Sequence, residues 1–330
     1  SGGGATVQPN WTAMPDAMLG TYLMTVITDP KGGQEAWVVN GLADVVRRCD
    51  GLDPAKLDEL GACGVSLTVC SALSDMSENE EVVQGALHSL RFLCRAPGNR
   101  TTVASSGALL KIVSCMSSFP TNAKVQEMGC ATLVNMAAAE ENQRVLGENG
   151  VSGVVTSAIK NHRLSGTVVW AALAALRNIT ILPANQKLVG AEGGIKTVAN
   201  CLGAHRMDPK INEMGCGTLR NLAVDADNRP KLVAQGGISA LALALNAHKE
   251  NERVQAAGLG ALNNIAFDES SREELATEGV AVICKTARKT FPKNMDIKTH
   301  ATSLLAVLEP QGAGGSGGGI AGKIGGFFRK

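Results

Sequence analysis

The chain of 330 residues carries 31 Lys and Arg against 30 Asp and Glu, and its net charge of +1 excludes nucleic-acid binding driven by a strong global field. Apolar residues make up 45% of it, enough for a buried core, but aromatics only 3%, so Ala, Val, Leu, Ile and Met must fill that core. No stretch reaches the roughly 18 consecutive apolar residues that a membrane-spanning helix needs.

Residues 1–13 are Gly-rich and polar. "PDAMLGTYLMTVITD" (15–29) then reads as an apolar helix that caps the downstream helices, so 1–34 is expected to be a flexible segment plus a capping helix. "EAWVVNGLADVVRRC" (35–49) reads as a further helix. In "GLDPAKLDELGACG" (51–64), Asp53 is placed to cap a helix whose first residue is Pro54. From here the chain repeats itself. Leu90, Leu133, Leu176, Leu219, Leu262 and Leu305 recur every 43 residues. Gly64, Gly107, Gly150, Gly193, Gly236 and Gly279 keep the same spacing, as do Asn99, Asn142, Asn185 and Asn228, with Ser271 in the next slot.

Each unit parses into a short, a middle and a long helix. In the unit around residue 236, Asn228 is expected as N-cap of a short first helix, "RPKLVAQ", which Gly236 ends in the left-handed conformation. The second helix, "GISALALALNA", stops near His248, with His162 and His205 at the same point of other units. The third begins at about Val254 and runs through "VQAAGLGALNNIA". The last third helix is "IKTHATSLLAVLE" (297–309), and "PQGAGGSGGG" opens a flexible tail, 310–330.

On a helical wheel of about 100° per residue, Leu219 and Leu222 face the core. Arg220 and Asn221 then flank the opposite face, with Gly217 at its centre. Repeated along the chain, that face carries an Asn row (Asn135, Asn178, Asn221, Asn264), an Arg row (Arg91, Arg177, Arg220) and a small central row (His88, Ala131, Ala174, Gly217, Gly260). Further back come Glu127, Trp170 and Glu213, and at the helix starts Lys124, Lys210 and Arg253. An amide supplies both a donor and an acceptor, so a ladder of Asn side chains suits an extended peptide backbone. The same Asn row also suits bonds to neighbouring helices that fix their stacking.

The "LRNLA"-type end of the third helix, the Asn that starts the next unit and the Gly-Gly-Ile step at 193–195 and 236–238 resemble the armadillo repeat, over residues 35–309. HEAT repeats are the nearest alternative, but they usually have two helices and lack this Asn and Gly punctuation. The resemblance implies an all-α, right-handed solenoid of about six three-helix units whose third helices line a concave groove. It implies a protein–protein interaction scaffold or adaptor, without enzymatic activity or cofactor, that takes a protein or extended peptide partner. The Asn row is similar to that of importin-α, but importin-α places a Trp four residues before the Asn, where this chain has Ala131, Ala174, Gly217 and Gly260. A nuclear-transport adaptor is therefore a secondary expectation. The basic rows are more similar to the β-catenin groove, which implies an acidic partner. A structural part in a cytoskeletal or axonemal assembly is the other alternative.

Other signals carry less. "GGGIAGKI" (317–324) has Ile324 where a phosphate-binding loop needs a hydroxyl. The nine cysteines form no paired CxxC set and sit among apolar neighbours, as free thiols of a reducing compartment do, cytoplasm or nucleus. The three periodic His lie a whole repeat apart, which suits helix-end capping rather than a shared metal. No small-molecule substrate, metal or nucleic acid is expected. Ile320, Ile324, Phe327 and Phe328, interspersed with Lys323, Arg329 and Lys330, give the tail the only composition suited to membrane contact.

Overall fold

The computed structural model describes residues 9–29 and 35–309, and it is all helical over them: no strand occurs among the described residues. The expectations for 310–330, and for the outermost N-terminal residues 1–8, lie outside the described residues. Helix Asp16–Ile27 packs on helix Glu35–Cys49 and on Ser66–Asp75. The 43-residue unit then repeats. The first helices are Pro54–Leu60, Pro97–Ser105, Glu140–Glu148, Pro183–Ala191, Arg229–Ala234 and Arg272–Thr277. The second helices are Ser66–Asp75, Ala108–Ser118, Val151–Asn161, Gly194–Ala204, Gly237–Ala247 and Val280–Thr290. Third helices are Glu80–Leu93, Ala123–Met136, Gly166–Ile179, Pro209–Leu222, Glu252–Ile265 and Met295–Leu308, with Glu35–Cys49 in the same role ahead of them.

Each third helix packs most extensively on the third helices of the adjoining units, so every unit completes its core with its neighbour. The core is aliphatic, as the composition requires: Leu87, Leu90, Leu133, Leu176, Leu219, Leu262 and Leu304 are all fully buried. The six periodic glycines separate first from second helices with positive φ, +76° at Gly236 and +87° at Gly64, a region closed to most side chains. Asp53 caps its helix as the sequence indicates, its carboxylate accepting from Lys56 N.

One expectation is corrected. None of Asn99, Asn142, Asn185 and Asn228 caps a first-turn N–H with its side chain: all four are buried, and each amide donates through Nδ2 to backbone carbonyls, while Asn99 Oδ1 accepts from Ser66 Oγ (3.0 Å). Asn185 Nδ2 bonds Ile179 O (3.0 Å) at the end of the preceding third helix and Gln143 O (2.8 Å) in the preceding first helix. Asn228 does the same to Leu222 O and Gln186 O, and Asn99 to Leu93 O and Leu57 O. A carbonyl stranded at a helix end costs more to leave unpaired than an N–H that faces water, so the amide goes to the carbonyls. The periodic side-chain caps stand on the third helices, where Asn79, Asn122, Asp208, Asn251 and Asn294, again 43 or 86 residues apart, accept first-turn N–H groups.

At the N-terminus Arg48 ties the entering chain to the first third-type helix. It pairs with Asp16 and the buried Asp44 and donates to Trp11 O (2.8 Å) and Met14 O (2.6 Å).

Candidate functional site: the third-helix face

The Asn row stands where the wheel puts it, half-buried at the end of each third helix. Each Nδ2 reaches back one unit to a last-turn carbonyl: Asn135 to Arg91 O (2.7 Å), Asn178 to Val134 O (2.9 Å), Asn221 to Arg177 O (2.9 Å) and Asn264 to Arg220 O (3.0 Å). Last-turn carbonyls lack the N–H partner of the next turn, and the ladder supplies a donor; Arg177 O also accepts from Thr180 Oγ1 (3.2 Å). The N–H half of each amide is thereby engaged in stacking. The Oδ1 half bonds no described residue.

The Arg row lies over the next unit. Arg177 crosses Gly217, where an added Cβ would stand 2.9 Å from Nε, and its Nη1 reaches Met214 Sδ (3.8 Å). Arg220 crosses Gly260 in the same way, and Arg91 meets Met128 Sδ (3.9 Å). This corrects the wheel for the small central row, which is buried at Ala131, Ala174, Gly217 and Gly260; at Gly217 and Gly260 the arginine stem of the preceding unit occupies the space. Arg177 and Arg220 themselves are exposed.

Trp170 projects from this floor, 38% exposed. On one side lies a hollow of about 700 Å³ whose walls include Arg91, Glu127, Thr167, Trp170, Lys210, Glu213 and Arg253, drawn from five successive third helices. Only a concave face brings side chains that many units apart to one hollow. On the other side a hollow of about 340 Å³ is walled by Phe92, Ala131, Val134 and Trp170, with Arg91, Arg95 and Asn135 at its polar positions.

Charges around the larger hollow compensate one another: Arg91, Lys210 and Arg253 against Glu127, Asp208 and Glu213. Lys124 Nζ is 3.9 Å from Glu127, Arg253 is 3.9 Å from Glu213, and Thr167 Oγ1 donates to Glu127 (3.2 Å). The smaller hollow holds two arginines and no acid. Beside it, burial, then Lys124 and Arg91, lower the pKa of His88, whose ring stacks on Phe92 at 5.5 Å. At the far end His300 is lowered by burial and by Arg220, against Asp296.

Of the residues singled out from sequence, Arg91, Trp170, Lys210 and Arg253 share the larger hollow, and Asn135 joins Arg91 and Trp170 at the smaller. Arg177, Arg220, Asn178, Asn221 and Asn264 continue the same face beyond it, while Lys124 borders it through Glu127. Arg95 escaped the sequence reading. It sits three residues past the Asn slot, at the register of Ile181, Val224 and Phe267, where the chain has left the helix and a wheel no longer applies. Among the described residues no group of three His, Cys, Asp or Glu is placed to hold a metal ion, and no helix is long and apolar enough to cross a membrane.

A family model described as "LRRK2 ARM repeat" matches residues 64–193 and, overlapping them, 108–279. No curated protein matches the sequence. Two engineered proteins solved by the Northeast Structural Genomics Consortium share the architecture. One is 20% identical with a TM-score of 0.66, over 77% of this chain and 97% of its own. The other is 18% identical with a TM-score of 0.74, over 92% of this chain and 73% of its own. At such identities they speak to the fold alone. The family match spans well over half of the chain and falls on the same 43-residue units that the glycine turns and third-helix caps mark out; the chain belongs to the armadillo-repeat family.

Proposed function

We propose that this chain is a non-enzymatic interaction scaffold that holds an extended segment of a partner protein along its third-helix face. The observation that carries the reading is Trp170, a large apolar side chain exposed between two hollows on a floor otherwise closed by small residues and arginine stems. An aliphatic or aromatic side chain of a partner gains most by burying against it. The free Oδ1 of each ladder Asn supports the reading, because it can accept a partner's backbone N–H while Nδ2 keeps the units stacked. An acidic segment suits the part of the face where Arg177 and Arg220 enter no ion pair with a described residue, whereas the compensated charges around Trp170, Lys210 among them, give no such preference. Nine free cysteines, eight of them buried, favour a reducing compartment, cytoplasm or nucleus.

The test is a peptide-library selection against the whole chain, followed by affinity measurements on Trp170→Ala and Asn178→Ala. Peptides that recognise the face should lose about tenfold or more on Trp170→Ala, in line with an aromatic hot spot, while the melting temperature stays within error. Selected peptides that bind both variants as well as the parent would remove this reading.

A second reading, assembly with other large structures through an edge, has one observation in its favour. Ile181, Val224 and Phe267, one per unit, are 59%, 54% and 49% exposed, and Arg229 lies over the Phe267 ring at 5.6 Å. A Val224→Asp variant that leaves peptide binding intact but abolishes co-assembly would support it.

A further inference from the structure

The joints between second helices are equivalent by repeat, so they serve as controls for one another. Between Ala108–Ser118 and Val151–Asn161 the cleft holds about 240 Å³ and its lining, including Ser117, Pro120, Gly153 and Ser157, has no charge. One unit on, between Val151–Asn161 and Gly194–Ala204, it opens to about 840 Å³ and is lined by Lys160, Arg163 and Lys196 with no acidic residue. Lys160 replaces Ser117, Arg163 replaces Pro120 and Lys196 replaces Gly153, three bases introduced at a single joint. None of the three is in an ion pair with a described residue.

One further feature marks this joint. The slot that lines the cleft as Gln235 is Glu192 in the unit before and Glu278 in the unit after, so the acid is replaced by an amide here alone among the three. Glu278 accepts from Ser239, the counterpart of Lys196, whereas Gln235 leaves a buried amide atom, Oε1, without a partner. As before the equivalent second helices, the left-handed residue ahead of helix Gly194–Ala204 is a glycine, Gly193, which offers the first turn no side-chain cap; here it lines the cleft. Free N–H groups at a helix start, two lysines, an arginine and an amide that can turn its donor inward form one continuous donor surface.

We infer that this cleft binds a small anion bearing several phosphate groups. A single phosphate would leave much of the donor surface unused: lining residues run from Gly193 to Ala204, and at about 1.5 Å per residue the cleft follows most of that helix. Phosphates spread over a compact ring meet bases at both ends. The anion is free in solution or is the headgroup of a lipid, and the chemistry of recognition is the same.

Isothermal titration of the full chain with myo-inositol trisphosphate tests it, beside sedimentation with phosphatidylcholine vesicles carrying a few per cent of phosphatidylinositol bisphosphate. Two triple variants are compared: Lys160→Gln, Arg163→Gln, Lys196→Gln in the cleft, and Lys111→Gln, Arg288→Gln, Lys289→Gln on other second helices. Lys111 is half-buried and the other five side chains are exposed, so melting curves of both variants should overlay the parent and establish that they fold. One-to-one binding that falls about tenfold or more in the cleft variant, and stays level in the other, is the expected result. Vesicle binding that follows the cleft bases assigns the lipid-borne source; its absence beside free binding assigns the soluble one. No binding of either probe, or equal losses in the two variants, overturns the proposal.

Discussion

At slot 99 and its repeats a buried polar side chain joins carbonyls, and what it reaches depends on a residue 38 positions earlier. Opposite Asn99, Asn185 and Asn228 stand Gly61, Gly147 and Gly190, at which an added Cβ would lie within 1.8 Å of the amide oxygen. Opposite Asn142 stands Ala104, and Asn142 bonds only Met136 O at the end of the preceding third helix, not the preceding first helix. Opposite Ser271 stands Val233, and the shorter Ser Oγ bonds Ile265 O and Asp268 O, again without reaching the preceding first helix. Glycine therefore admits the bond between successive first helices and a larger residue forbids it. Asn185→Ala should cost about 2–4 kcal/mol in urea unfolding, since Gln143 O and Ile179 O would both be stranded. Gly147→Ala should cost about 1–3 kcal/mol by overpacking against Asn185. The double variant should cost clearly less than the sum, because each change removes the other's cause. Strict additivity would show that the pair is not coupled.

At the scale of the element, the third helix was the most legible part of the sequence and its surface the least. Periodic Leu marks the buried stripe: Leu90, Leu133, Leu176, Leu219 and Leu262 are all fully buried, and only Leu305, in the last unit, is half-buried. The helix starts two residues earlier than its apolar pattern indicates, at Glu252 rather than Val254, because its cap is Asn251 and the first turn is polar. Asn251 accepts from Val254 N (3.1 Å), and Asn251→Ala should lower stability by about 1 kcal/mol. Ser165, in the same slot, makes no cap bond, so Ser165→Ala should cost less than about 0.5 kcal/mol. The face itself was legible as rows but not in depth. A wheel treats one helix alone, and the arginine that covers Gly217 comes from another. Gly217→Ala tests that cover: helix propensity favours Ala by about 1 kcal/mol, while Arg177 must lift from the floor. A chain of equal or higher stability with altered peptide affinity is the expected outcome. A large loss of stability would mean that the Arg177 stem is fixed where it lies.

On the scale of the whole molecule, stability is a sum of units and joints, so a stress felt in many units is felt by the entire solenoid. The cysteines provide such a stress. They are free, and all but Cys63 are buried. Burial pushes the thiols of Cys49, Cys130, Cys201, Cys216 and Cys284 up to about 12 from an ordinary value of 9.0, and Cys94 is raised further in the same direction. A raised thiol keeps its proton in the folded chain after the unfolded chain has released it. Between those two values the unfolded state binds fewer protons, and stability falls with pH. The contribution is intact below about pH 9 and is lost as pH rises toward 12. Urea midpoints should therefore hold level from pH 7 to 9 and drop steeply above. The slope is apportioned by substitution. Cys130→Ala and Cys216→Ala, in third helices two units apart, should each flatten the alkaline limb while costing some stability at pH 7, where the thiol acts only as packing. A double variant should flatten it by the sum, since the sites share no contact. If the alkaline limb keeps its slope in all three variants, the buried thiols are not what titrates. The same burial predicts that a thiol reagent labels Cys63 first in the native chain and reaches the other eight only on unfolding.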